Sequence, residues 1–139
     1  GMNCAFEDCV SLAGLIGTAR PDLDWGAVFA AFEQERRPHA HAIAEMALEN
    51  YLEMRDAVAD PRYLLRRELE LELARRLPGR FVPRYSLVMF STLGYAQARE
   101  RGRLQAELLH RFCDGHERYA TVDIDAATAA ARLLVEAYA

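Results

Sequence analysis

Apolar residues recur at intervals of three and four along nearly the whole chain, and that period leaves room for little besides α-helices. Leu65, Leu69, Leu73 and Leu77 are its clearest case. Asp60 before them can cap a helix start, Pro61 falls where no amide hydrogen is needed, and Pro78 and Gly79 stop the run. The same spacing predicts a helix from about 4 to 16, with Phe6, Cys9, Val10, Ala13 and Ile16 on one stripe, Asn3 as its cap and Glu7 and Asp8 near its positive end. Thr18 to Asp24, with Pro21, reads as a turn. Trp25, Val28, Phe29 and Phe32 predict a second helix that ends at Arg37 and Pro38. A third follows from His39 to Ala59, its stripe running through Ile43, Met46, Ala47, Met54, Ala57 and Val58 with a polar gap at Asn50. Helical spacing resumes from Tyr95 to Phe112, a loop spans Asp114 to Val122, and IDAATAAARLLVEAYA closes the chain as an Ala-rich amphipathic helix.

One segment breaks the pattern. FVPRYSLVMF is rich in β-branched and aromatic residues, and Pro83 is unsuited to a helix interior, so extended backbone is expected near 81–91. Alternation would then put Tyr85 on the side of Phe81, Leu87 and Met89. The fold class is mainly α with one extended segment.

With 139 residues, 52% of them hydrophobic, the chain can close one core and bury roughly two-thirds of its extended surface. Net charge is −4, and every basic residue is Arg. Residues 1–60 carry eleven acids against four Arg, and 61–139 carry ten against thirteen. The only candidate basic stripe, Arg62, Arg66, Arg67, Arg75, Arg76, Arg80 and Arg84, is interrupted by Glu68, Glu70 and Glu72, which favours a solvated or docking helix face over nucleic-acid binding. Three cysteines without a CxxC pair indicate neither a disulfide framework nor a zinc site, and His39 and His41 face different ways on a helix. No metal is expected. No signal-like or membrane-spanning apolar run is present, so a cytoplasmic protein with no membrane contact is expected.

The eight glycines form neither GxGxxG nor a Walker loop, so no nucleotide phosphate is held by these residues alone. Gly1, Met2 and Asn3 lead directly into a helix whose first amides lack partners; that is a receptor for an anion or a carbonyl, or simply an ordinary first helix. Asn50 on a buried apolar stripe would cost a few kcal/mol unless its amide is paired, either with neighbouring backbone or with a ligand. Met54, one turn on, shares its face. Tyr85 is a core phenol with a satisfied hydroxyl or a donor to a ligand carboxylate. No nucleophile elbow or Ser/His/Asp set is suggested, and no catalytic side chain is assigned.

GMNCAFEDC, ALENYLEMRDAVADPRYLL and PGRFVPRYSLVMFS occur in this order and resemble the C-terminal half of the kynurenine 3-monooxygenase family of FAD-dependent aromatic hydroxylases. The resemblance covers about forty residues within 1–91. It implies that Gly1, Met2 and Asn3 close over the flavin, that Asn50 and Tyr85 bind the amino-acid end of L-kynurenine, and that Met54 lines the pocket for its ring. It further implies NADPH as cosubstrate, 3-hydroxykynurenine as product in tryptophan catabolism, and an upstream flavin domain carrying the dinucleotide fold. Residues 1–18 would then end the FAD-binding domain, and 19–139 would form the helical substrate-side region of an α/β flavoprotein. The isolated chain is expected to be inactive. Alternatives are another flavin aromatic hydroxylase and a non-enzymatic helical binding module.

Overall fold

The computed structural model describes residues 1–17, 23–57 and 60–138. Six α-helices follow one another: α1 (Met2–Gly17), α2 (Trp25–Leu52), α3 (Pro61–Arg76), α4 (Arg84–Phe90), α5 (Tyr95–Cys113) and α6 (Ile124–Glu136). A π-helical turn, Glu53–Ala57, extends α2, and a 3-10 turn, Tyr119–Thr121, precedes α6. No strand occurs among the described residues. Of the turn expected from Thr18 to Asp24, residues 18–22 lie outside them, as does the expected helix end at Val58 and Ala59.

α5 is the central element, with α2, α3, α4 and α6 packed on it, while α1 lies along α2. The larger core joins Leu65, Leu69, Leu73 and Leu77 to Phe81, to Leu108, Leu109 and Cys113 of α5, and to Ala127, Ala131 and Val135 of α6. As expected for α3, the Asp60 carboxylate accepts from the Arg62 amide at 2.9 Å. Beyond its end Gly79 adopts φ 71°, a left-handed conformation that disfavours any side chain. A smaller core gathers Cys4, Ala42, Met46 and Tyr95, with Ile43, Val88 and Ala96 against it.

Four local expectations are corrected. Pro38 does not end a helix, because α2 runs through it. Its ring is on the exposed face, where the carbonyl that loses its amide partner can turn to water. The segment near 81–91 is not extended either: residues 84–90 are α-helical, and Pro83 caps that helix (ψ 144°), its carbonyl accepting from the Leu87 amide at 3.0 Å. Proline is disfavoured in helix interiors but well suited to their starts, where no amide hydrogen is needed. In the helix Tyr85 therefore parts from buried Leu87 and shares a side with Val88 and Met89.

α1 begins at Met2, which places Asn3 inside its first turn rather than at the cap. Its expected apolar stripe also faces outward, with Phe6 61% and Val10 73% exposed. The inward face is selected by polar contacts. Arg36, almost fully buried, donates to Asp8 at 2.6 Å and to Glu7 at 3.1 Å, and Ser11 donates to Glu35 at 2.9 Å.

Candidate functional site

A groove of about 380 Å³ opens between the end of α2, the π-helical turn, α3 and α4. Ile43, Met46, Ala47 and Val88 make one part of it apolar. Asn50 and Met54 enter from α2 and the turn, Tyr85 enters from α4, and Gly1 borders the same space. The structure thus brings four of the six expected site residues together. Met2 and Asn3 lie exposed at the start of α1 and do not line the groove.

Asn50 requires a correction, because it is exposed rather than buried. The α2 stripe is covered at Ala42 and Met46, but one turn later it emerges at the groove. The desolvation argument therefore does not apply to Asn50 here. Its amide donates to the Met54 sulfur at 3.6 Å, so these two side chains do share a side. Met54 is 68% and Tyr85 63% exposed, and the Tyr85 ring is not a core residue.

The other end of the groove is charged, and the sequence pattern did not single it out. Glu53, Tyr63, Arg67, Glu70 and Arg84 line it. Burial, aided by the charge of Glu53, raises the Glu70 pKa against the opposing pull of Arg67, with which Glu70 is ion-paired. Tyr63 is likewise raised, first by burial and then by Glu53. Arg84 pairs with Glu49 and, at 3.6 Å, with Glu53. Such pairs between distant helices carry no periodic signal; only the i,i+3 spacing of Arg67 and Glu70 is visible beforehand.

Beneath the start of α1, Glu7 accepts from the Tyr95 hydroxyl at 2.9 Å while pairing with Arg36. Burial and this carboxylate push the Tyr95 phenol up to about 12. Glu7 and Asp8 are therefore tied to α2 and α5 through these partners. Above them the Gly1 carbonyl accepts from the Ala5 amide at 3.0 Å, and nothing lies within 4 Å of the position a Gly1 side chain would take. The amides at the start of an α-helix, ahead of that bond, have no acceptor within the helix itself. Among the described residues no cluster of His, Cys, Asp and Glu has metal-binding geometry, and no helix is long and apolar enough to cross a membrane.

No protein-family profile matches the chain. Curated relatives do. A kynurenine 3-monooxygenase of Stenotrophomonas maltophilia is 56% identical over 123 residues, 88% of this chain and 26% of the relative. One of Xanthomonas axonopodis pv. citri is 49% identical over 136 residues, 98% of this chain and 29% of the relative. Another, of Xanthomonas oryzae pv. oryzae, is 51% identical over 123 residues. Over most of its length the chain corresponds to a portion of proteins named kynurenine 3-monooxygenase. It spans between a quarter and a third of the length of the relatives it matches. The 88–98% coverage takes in far more than the three motifs that first carried the resemblance, extending the kynurenine 3-monooxygenase likeness to most of the chain.

Proposed function

We propose that these residues form the helical, substrate-side part of an FAD- and NADPH-dependent kynurenine 3-monooxygenase that hydroxylates L-kynurenine to 3-hydroxykynurenine in tryptophan catabolism. The observation that carries this reading is the convergence of Asn50, Met54, Tyr85 and Gly1 on one groove. Asn50 and Tyr85 stand on different helices and can grip the amino-acid end of a ligand from two sides, each supplying a hydrogen bond. Met54 and Val88, with Ile43 nearby, give the aromatic ring an apolar bed.

The chain's first turn fits a flavin edge. A helix N-terminus supplies amide donors without an acceptor in the helix, and ring carbonyls can accept from such donors. Gly1, Met2 and Asn3 are the residues that would hold it, with residues 1–18 ending the flavin domain and 19–139 forming the substrate-side region. Bound there, the flavin supplies the redox and oxygen-transfer chemistry. The side chains of this segment then orient the ligand and keep water from the reacting ring, and none has to act as acid, base or nucleophile. The outward apolar stripe of α1, with Trp25 and Phe29 beyond it, supports a covering flavin domain, since such a surface is unfavourable in water. A cytoplasmic location accords with this reading.

The test is kinetic, in the complete flavoprotein. Asn50→Ala and Tyr85→Phe should each raise the KM for L-kynurenine about tenfold or more, as loss of a hydrogen bond to a charged group predicts, with FAD content unchanged. Native KM in both variants, or NADPH oxidation indifferent to L-kynurenine, refutes the assignment.

A further inference from the structure

Arg84 stands in an unusual position relative to the groove. Its aliphatic stem lies directly on the backbone of α5: a Cβ on Gly102 would come within 2.4 Å of its Cδ, 2.6 Å of its Cγ and 2.9 Å of its Cβ. Only a residue without a side chain allows this approach. From that notch the guanidinium reaches Glu49 in the last turn of α2 and Glu53 at the first position of the π-helical turn. Glu49 is drawn from its other side by Arg99 of α5, 3.7 Å away.

Each partner is the chain neighbour of a ligand-facing residue: Glu49 of Asn50, Glu53 of Met54, and Arg84 itself of Tyr85. Both α2 and α4 pack on α5, and Arg84 adds a direct side-chain link between them. The π-helical turn makes this link more consequential. Its i→i+5 bonding is rare and occurs frequently at functional sites.

We propose that Arg84 is a positioning residue: seated in the Gly102 notch, it bridges Glu49 and Glu53 and so fixes the separation and aim of Asn50 and Met54 against Tyr85. This rests on the reading of the groove as the ligand site. Arg84 acts through its neighbours, holding the α2 end and the turn at the span an aromatic amino acid requires.

The experiment uses the complete flavoprotein. Arg84→Met keeps the stem but loses the bridge; it should raise the KM for L-kynurenine about tenfold while kcat changes by less than about threefold and FAD content stays native. Arg84→Lys should recover part of the loss. Glu49→Gln, nearly isosteric and outside the groove lining, should shift KM in the same direction and serves if Arg84→Met fails to fold. In the double variant with Asn50→Ala the KM effects should fall short of their product, as expected when one residue acts through the other. Fully multiplicative effects, or native KM in Arg84→Met and Glu49→Gln while Asn50→Ala is impaired, overturn the bridge and leave the groove reading standing. Native KM in Asn50→Ala and Tyr85→Phe overturns both.

Discussion

Glu72 accepts from both Arg75 and Arg76 on α3, and these hydrogen bonds hold its carboxyl down to about 2, against an ordinary value of 4.5. A carboxylate whose pKa is depressed by folding contributes stability that is present above its unfolded value and is lost as pH falls through the folded one. The window here is therefore from about 4.5 to about 2. Glu72→Gln should lower the urea midpoint at neutral pH and flatten the acid limb across that window, so that the two profiles converge near its lower end; identical profiles would show that the contacts contribute nothing to folding. Glu70 on the same helix works in the opposite sense. Burial raises its pKa, so the folded state holds the proton more tightly and stability declines as pH rises from the unfolded value towards the folded one. Two carboxylates two residues apart are thus separated by surroundings that charge spacing alone does not distinguish.

Among the elements, α3 was the most legible: Asp60, Pro61, the leucine ladder, Pro78 and Gly79 each do in the structure what local chemistry requires. Pro38 and Pro83 misled because their effect depends on which way the ring faces and where the helix begins. Pro38 is solvated and Pro83 precedes the first turn, and neither fact is written in the neighbouring residues. The facing of α1 was hidden for a different reason, since Arg36 selects it from 28 positions away. At the site, periodicity singled out Asn50 as a polar gap with Met54 one turn on, but it placed Asn50 in a core it does not enter, and the specific ligand roles of Asn50, Met54 and Tyr85 came from resemblance to a family. Pro38 itself yields a test. Substituting Ala restores one backbone hydrogen bond on an exposed face, so Pro38→Ala should stabilise α2 by about 1–3 kcal/mol, read as a higher urea midpoint at unchanged m-value. A loss of stability would show that the proline fits a bend the fold needs.

For the molecule as a whole, stability is concentrated where α3, α5 and α6 meet. Leu69, Leu73 and Phe81 are the largest side chains fully withdrawn from solvent, and all belong to that core. Leu73→Ala should cost about 2–5 kcal/mol in equilibrium unfolding, the range for a buried leucine whose surroundings cannot collapse. A change below about 1 kcal/mol would mean that α6 closes over the void. The groove, by contrast, lies at the edge of the smaller core, beside α2. That helix carries Trp25 and Phe29 on its exposed surface near one end and Asn50 near the other. At 1.5 Å per residue the two ends are roughly 37 Å apart, so a tilt of about 5° pivoting at one end displaces the other by about 3 Å. Continuous through Pro38, α2 thus carries on one element both the exposed aromatic pair and the side chain that borders the groove, so a substitution at either place is borne by the same helix.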